Sequence, residues 1–400
     1  MPRLQNWVFL RGNSNVTSDT DQTMILKYLR ILPLVILLLT ISVQAQDKKV
    51  KAGNELPPVK IDLSEVVSPV KNQGQTGTCW AFSGVAMLES DHLGFGNDPV
   101  AMDLSEIYIA RKVYLKKAQN YILRQGKAQF SEGALGHDLI RAIYEYGAIP
   151  ELAYSGRLSD LHDHSQLFRE LKAYLDSLIT KGAPIRENWQ GRLERIMDAH
   201  LGKVPEEFMF NGTMFNAQSF GKQFRGFKSP DDFAYLTSFK HHPYYASFVL
   251  ELPDNFSSGS YYNLPMKELK ESVVEALKKG VTVMWDADVS NPGFDANKGY
   301  ALLDEPAEIL EATPFRSEEM ESIRQKRFES LVTQDDHLMQ IVGVETLPSG
   351  KLLFKVKNSW GELGPFRGFI KVSEDYFMMN TINVILKKDA LPDKLRKQIR

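Results

Sequence analysis

The stretch that decides the fold is PVKNQGQTGTCWAFS, which runs from Pro69 to Ser83. It contains Cys79, the single cysteine among the 400 residues. The residues after Cys79 place apolar side chains at helical spacing, which predicts a helix that begins at this cysteine. A lone cysteine forms neither an intrachain disulfide nor an all-cysteine metal site. Cys79 is therefore either a small buried side chain or a reactive thiol.

Two further motifs lie far downstream of Cys79. Residues 336–344 read DHLMQIVGV, and residues 355–361 read KVKNSWG. Together with the Cys79 stretch they resemble, in the same order, the catalytic cysteine, histidine and asparagine segments of the papain-like cysteine peptidases. Gln73 stands six residues before Cys79, where that family carries the glutamine of its oxyanion hole.

The resemblance implies a role for each of these residues. Cys79 is the nucleophile, His337 is its acid–base partner, and Asn358 holds the imidazole in position. A thiol at a helix N-terminus and beside an imidazolium is expected to have a pKa below its ordinary value of about 8.5. The Gln73 amide and the Cys79 backbone N–H bind the developing oxyanion. Trp360 shields the contact between asparagine and histidine from water.

The chain differs from secreted papain-like enzymes in ways that resemble one branch of the family. Thr76 stands where those enzymes usually carry a disulfide cysteine. Residues 130–136, FSEGALG, resemble their glycine-rich substrate-binding stretch, again without its cysteine, and make Gly133 the candidate backbone for pairing with substrate. The interval between Cys79 and His337 is much longer than in papain. This disulfide-free pattern with a long insertion resembles the bleomycin hydrolase and aminopeptidase C branch.

The resemblance implies an α+β, papain-like fold of two lobes. The left lobe is helical, the right lobe is built of antiparallel strands, and a largely helical insertion separates the cysteine and histidine motifs. Two apolar stripes at helical spacing between residues 165 and 202 support that insertion. The predicted segments are an N-terminal extension (1–23) that is absent if Met24 is the start, a signal peptide (24–45), a linker (46–60), the left lobe (61–154), the insertion (155–253), the right lobe (254–388) and a basic tail (389–400).

Residues 24–45 have the pattern of a secretory signal peptide. A basic start and the apolar run of residues 31–41 precede the small residues Val43 and Ala45, which fit a cleavage site. The run is too short to span a membrane, which takes roughly 20 apolar residues. We therefore predict an exported protein, periplasmic or extracellular, that begins at Gln46 and keeps no membrane span.

The charge balance and the histidine spacing exclude other classes of function. The 48 basic and 50 acidic residues give a net charge of −2, so no positive field exists to hold nucleic acid. Four histidines form two pairs that lack the i, i+4 spacing of helical metal ligands, so we expect no metal site: His162, His164, His241 and His242. We expect that the protein uses no cofactor and that its partners are peptide substrates. The sequence leaves open whether the chain forms a homo-oligomer.

The C-terminal tail leaves the type of peptidase open. Many enzymes of this branch place their last residues in the cleft, where the terminal carboxylate engages the α-amino group of the substrate. Residues 389–400, DALPDKLRKQIR, are basic and do not resemble the apolar tails with that role. We expect aminopeptidase action first and endopeptidase action second. A catalytically silent peptidase-like binding protein and acyl transfer to an amine are the further alternatives.

Overall fold

The computed structural model describes residues 59–94, 102–181, 184, 185, 187–303 and 317–399. The predicted signal peptide and the extension before it lie outside the described residues, as does most of the linker. Within the described ranges, no helix combines the length and apolar character needed to cross a membrane.

Helices and strands account for most of the described residues. The helices are α1 (Cys79–Leu93), α2 (Glu106–Leu123), α3 (Gly136–Tyr146), α4 (Ser165–Thr180), α5 (Trp189–Leu201), α6 (Ala217–Phe224), α7 (Met266–Lys278), α8 (Ser317–Glu329), α9 (Glu374–Asn380) and α10 (Asp393–Gln398). The strands are β1 (Lys60–Asp62), β2 (Phe208–Phe210), β3 (Thr213–Phe215), β4 (Phe233–Thr237), β5 (Ser247–Val249), β6 (Ser260–Asn263), β7 (Val283–Ala287), β8 (Phe294–Asp295), β9 (Tyr300–Ala301), β10 (His337–Thr346), β11 (Leu352–Lys357), β12 (Phe369–Ser373) and β13 (Thr381–Lys387).

The central helix of the helical lobe is α1. It packs against α2, α3, β7 and β10, so almost every one of its side chains is buried. The sequence predicted one apolar face, but the helix is enclosed on nearly all sides. Even Glu89 is buried, and its carboxylate accepts hydrogen bonds from Ser68 Oγ and from the Leu104 backbone N–H. This satisfied carboxylate makes a polar residue tolerable inside the lobe.

A large, mostly antiparallel sheet forms the second lobe. Eleven strands take part, in the order β5-β6-β4-β13-β7-β10-β11-β12-β9-β8, with β1 added beside β10. Strand β10 alternates between two apolar cores, because Leu338 packs with the helices whereas Met339 and Ile341 pack with α7 and the neighbouring strands. A helical lobe and a sheet lobe with separate cores confirm the predicted α+β architecture.

Residues 155–253, predicted as a mainly helical insertion, contain helices α4–α6 and strands β2–β5. The predicted apolar stripes of α4 and α5 are buried: Leu167, Leu171, Leu175, Leu193, Met197 and Leu201. The β2–β3 hairpin and α6 share a cluster of phenylalanine rings: Phe208, Phe210, Phe215, Phe220 and Phe224. Strand β4 lies between β6 and β13, so strands from both sides of residue 254 form one sheet.

The described part of the C-terminal tail lies against α7. Leu391 and Leu395 are buried in the core of the sheet lobe, and Ile399 packs against that core. The Lys279 side chain donates a hydrogen bond to the Leu391 carbonyl at 2.9 Å. The tail therefore has an apolar anchor on the sheet lobe, although its sequence is basic.

Candidate active site

The predicted histidine and asparagine meet at the ends of two paired strands. His337 is the first residue of β10, and Asn358 directly follows β11, which pairs antiparallel with β10. His337 Nε2 lies 2.7 Å from Asn358 Oδ1, and both side chains are buried. The same Oδ1 accepts the Ser359 backbone N–H at 2.7 Å, so this oxygen acts as an acceptor. His337 Nε2 must therefore carry a proton, which leaves Nδ1 as the nitrogen for proton exchange.

Trp360 covers the imidazole of His337. The two rings are stacked, with centroids 4.6 Å apart and an interplanar angle of 28°. Phe294 contacts the tryptophan edge-on at 5.8 Å. The stacked ring has the position that the predicted shielding role requires, and burial of the imidazole lowers the pKa of His337 to about 4.

Cys79 lies at the N-terminus of α1, as predicted, and only 8% of the residue is exposed. Burial raises the pKa of its thiol to about 12, and the charges of Asp335 and Asp286 act in the same direction. Contacts with the backbone at Leu338 and Trp80 oppose this shift. Desolvation thus favours a neutral thiol and a neutral imidazole. A thiolate–imidazolium pair, as predicted, requires that the mutual attraction of the two charges outweighs this desolvation.

Gln73 is held in place by its side-chain amide. Its Oε1 accepts a hydrogen bond from Ser359 Oγ at 2.7 Å, and its Nε2 donates to the Thr76 carbonyl at 2.7 Å. Its backbone N–H donates to the Ser359 carbonyl at 2.8 Å. These contacts fix the loop before Cys79 to the segment that carries Asn358. One N–H of the Gln73 amide is engaged, and the second remains for an oxyanion.

Gly133 and Cys79 line the same groove, which has a volume of about 430 Å³. A Cβ atom on Gly133 would lie 1.8 Å from Asp254 Oδ2, so the close approach of that carboxylate requires glycine. The Gly133 carbonyl accepts a hydrogen bond from Lys117 Nζ. The structure thus brings the predicted substrate-binding backbone and the predicted nucleophile into one groove.

Sequence reasoning missed several residues that support this site. Ser359 holds Gln73, and its place between Asn358 and Trp360 was the available signal. Glu132 accepts the Gly77 backbone N–H at 2.7 Å, which connects the cysteine loop to the Gly133 stretch. Acidic residues near Cys79 were also missed, because they come from separate parts of the chain.

One histidine pair does come together with a third potential metal ligand. His241 and His242 both contact the exposed carboxylate of Glu251, at 3.2 and 2.6 Å. Gln325 Nε2 donates to His241 Nδ1 at 3.0 Å, while Gln325 Oε1 accepts the Lys240 backbone N–H at 2.6 Å. The amide therefore donates to Nδ1 and leaves His241 Nε2 to contact Glu251. The sequence predicted no metal site, but the fold brings three potential ligand atoms within 4.8 Å of one another here, which is close enough to hold a metal ion.

Comparisons with known proteins agree with this geometry. Residues 148–400 match the Peptidase C1-like family, and residues 57–110 match the papain family of cysteine proteases. Aminopeptidase C of Lactobacillus delbrueckii subsp. lactis is 25% identical over 402 residues, which cover 88% of each protein. Aminopeptidase C of Lactococcus lactis subsp. lactis (strain IL1403) is 25% identical over 394 residues, which cover 85% of this chain and 84% of the relative.

A solved structure shows the same fold. The crystal structure of PepW from Lactobacillus rhamnosis HN001 superposes with a TM-score of 0.67 at 20% identity, covering 85% of this chain and 84% of PepW. The likeness confirms the papain-like fold that the motifs implied. The chain belongs to the Peptidase C1-like family and is a cysteine peptidase.

Proposed function

We propose that this protein is an exported aminopeptidase that hydrolyses peptides through a thioester at Cys79. The observation that carries the catalytic part is the hydrogen bond between His337 Nε2 and Asn358 Oδ1. It leaves His337 Nδ1 as the nitrogen that can exchange a proton, and Leu338, the next residue, lines the same groove as Cys79. Support for an aminopeptidase comes from the relatives, which are named Aminopeptidase C and match most of this chain.

The proposed reaction has two halves, formation of a thioester and its hydrolysis, and the catalytic side chains act in both. The Cys79 thiol transfers its proton to His337 Nδ1, and the sulfur attacks the substrate carbonyl carbon. The free N–H of the Gln73 amide and the Cys79 backbone N–H stabilise the oxyanion. The imidazolium then protonates the leaving amine and the thioester forms. In the second half, His337 takes a proton from water as the water oxygen attacks the thioester carbon. The C–S bond then breaks, the acid leaves, and His337 returns the proton to the Cys79 sulfur.

The location of the tail bears on the choice between exopeptidase and endopeptidase. Leu391 and Leu395 are buried in the core of the sheet lobe, and none of the described residues 388–399 lines the groove that contains Cys79. If the protein is an aminopeptidase, another group in the groove must therefore bind the α-amino group. An open groove without such a group would favour the second candidate function, an endopeptidase.

Export is the remaining part of the proposal. The basic start, the apolar run and the small residues at Val43 and Ala45 support cleavage before Gln46 and release into the periplasm or the medium. N-terminal sequencing of the protein from its native host tests this directly. A mature chain that retains the apolar run would contradict export by a cleaved signal peptide.

Catalysis at Cys79 is tested with a fluorogenic amide of leucine and the purified protein. The expected result is turnover by the wild type and no turnover by the Cys79→Ala variant, which keeps the helix and its burial. Adding glycinamide and measuring leucyl-glycinamide distinguishes hydrolysis from acyl transfer. A wild-type protein that binds peptides but cleaves none, and whose thiol alkylates no faster than free cysteine, would support the silent binding protein instead.

A further inference from the structure

The groove beside Cys79 is strongly acidic. Four carboxyl-bearing residues line it, and none of the described residues that line it is a lysine or an arginine: Glu132, Asp254, Asp335 and Asp336. The carboxylates come from three separate parts of the chain, which the fold gathers at one wall. A negative wall inside a concave groove favours a cationic group in the bound molecule.

Two of these carboxylates are occupied in holding the backbone. Asp336 Oδ2 accepts the N–H groups of Val289 and Ser290, at 3.2 and 3.0 Å. Glu132 Oε2 accepts the Gly77 N–H at 2.7 Å. These two residues shape the groove. Asp254 Oδ1 accepts hydrogen bonds from Gln129 Nε2 at 2.9 Å and from Ser131 Oγ at 2.8 Å. Asp335 is therefore the residue whose charge needs another explanation.

Asp335 lies near a second carboxyl group, that of the buried residue Asp286. Asp286, on β7, is fully buried, and it lies close enough to Asp335 for that carboxyl group to raise the pKa of Asp286 in addition to the effect of burial. Asn383 Nδ2 donates to Asp286 Oδ2 at 2.6 Å, but Asp286 Oδ1 has no hydrogen-bond partner among the described residues. Strand register places Asp286 opposite Leu338, the neighbour of His337. The pair is therefore built into the strands that carry the catalytic histidine.

Two neighbouring buried carboxyl groups repel each other when both are ionised, so one of them keeps its proton unless a cation lies beside them. Burial, together with the neighbouring acidic groups, raises the pKa of both Asp286 and Asp335. Lys117 is a cation that acts on this wall, and its charge lowers the pKa of Asp335. Its Nζ lies 3.8 Å from Asp254 and donates hydrogen bonds to Gly133 and Ser131. Neither Asp286 nor Asp335 forms a salt bridge with a described lysine or arginine.

We propose that Asp335, backed by Asp286 and assisted by Asp254, binds the α-ammonium group of the N-terminal residue of the substrate. This inference rests on the proposed aminopeptidase function and names the group that selects a free N-terminus. The α-nitrogen and the scissile carbonyl carbon of the first residue are only about 2.5 Å apart, since both are bonded to the same Cα. The ammonium partner must therefore lie in the groove of the nucleophile, where Asp335 and Asp254 are.

An ammonium group matches this wall chemically. It offers three N–H donors, which can serve more than one carboxylate, and it supplies the positive charge that the buried pair lacks. A peptide whose N-terminus is acetylated brings neither the charge nor the donors, so it would leave the pair unsatisfied. The same ammonium chemistry could also come from a lysine side chain, on the residue that precedes the one at the scissile bond. The experiment must separate these two sources.

The test compares three fluorogenic 7-amido-4-methylcoumarin substrates: leucine with a free amine, N-acetyl-leucine, and N-acetyl-lysyl-leucine. Wild type is compared with Asp335→Asn and Asp254→Asn. The control is Glu271→Gln, which removes an exposed carboxylate on α7. We expect Asp335→Asn to lower kcat/KM for the free amine by about 10- to 100-fold, the value of one charge-assisted hydrogen bond, mainly through KM. Glu271→Gln should behave as the wild type.

Alkylation of Cys79 by iodoacetamide separates loss of substrate binding from damage to the nucleophile. The charge of Asp335 raises the pKa of the thiol, so its removal should leave alkylation as fast as before or faster. Slower alkylation together with lost activity would mean a disturbed active site and would overturn the assignment. If Asp335→Asn fails to fold, Asp254→Asn provides the same comparison, because an asparagine there keeps the acceptor for Gln129 and Ser131.

Each other outcome has a definite meaning. If both variants cleave the free amine as the wild type does, the ammonium site is wrong and the aminopeptidase function stands. If the wild type cleaves only N-acetyl-lysyl-leucine, the proposed aminopeptidase function is wrong. Loss of that activity in Asp335→Asn would then assign the acidic wall to a lysine side chain instead of the α-amino group.

Discussion

Ser359 offers a sensitive test of the oxyanion site, because it touches Gln73 but no substrate atom in the proposed reaction. The Ser359→Ala variant removes the 2.7 Å hydrogen bond to Gln73 Oε1 and leaves the 2.7 Å bond from Gln73 Nε2 to Thr76 intact. Gln73 is only 6% exposed, so water replaces the lost donor poorly. The amide therefore keeps its place but loses one of the two contacts that fix its orientation.

The size of the effect follows from these contacts. Removing an oxyanion donor entirely costs about 100- to 1,000-fold in kcat, which sets the upper bound. Loss of one hydrogen bond that leaves a buried acceptor unsatisfied costs about 1–3 kcal/mol. If about 1.4 kcal/mol of this is lost in the transition state, kcat falls about tenfold. KM should change by less than about twofold, because the oxyanion forms only after binding.

The assay measures kcat and KM with the leucine amide and the free energy of unfolding with urea. Ser373→Ala is the matched control, because it also removes a buried serine hydroxyl, the cap that accepts the Tyr376 N–H at 3.2 Å. Both variants should lose about 1 kcal/mol of stability. Only Ser359→Ala should lose kcat. Equal kcat in the two variants, or a loss carried by KM alone, would refute the argument that Ser359 orients an oxyanion donor.

Three further predictions concern the cover of the imidazole, the groove and the leader. Burial disfavours the charged imidazole and holds the pKa of His337 at about 4. Trp360→Ala, made in a Cys79→Ala background, should therefore raise this pKa by at least about 1, as measured by NMR titration. An unchanged pKa would mean that Trp360 does not exclude water from the imidazole. Gly133→Ala should raise KM by about tenfold or more in the wild type, since its Cβ would collide with Asp254, and by much less in an Asp254→Ala background. An equal rise in KM in the two backgrounds would contradict this contact. Leu37→Asp interrupts the apolar run and should stop secretion of the protein, as measured by fractionation of the host. Continued secretion would contradict the assignment of residues 24–45 as the signal peptide.

The residues of the site that could be predicted are those in short contiguous motifs. Cys79 and Gln73 share one loop, and Asn358 and Trp360 share another, so their relative placement depends on a few backbone bonds. His337 joins them because β10 and β11 are neighbouring strands that are also close in sequence. The α+β class was predictable for the same reason, since the motifs resemble one family.

The residues that could not be predicted depend on strand register and on distant packing. Asp286 and Asp335 meet because β7 pairs with β10 in one register, and a shift by one residue would turn Asp286 to the other face. Strands β4 and β5 are too short to show clear alternation, so the sequence did not assign them to the main sheet. The apolar anchor of the basic tail was not predicted because its main residues, Leu391, Leu395 and Ile399, are scattered among charged ones.

The central proposal is that the Cys79 thiol is the nucleophile with which this protein removes residues from a free N-terminus. The most direct measurement incubates the protein with one peptide in two forms, free and N-acetylated, and follows both by mass spectrometry beside a Cys79→Ala control. The account predicts stepwise loss of N-terminal residues from the free peptide, no change in the acetylated one and no change with Cys79→Ala. Internal cleavage of both peptides, or cleavage that persists without the thiol, would contradict it.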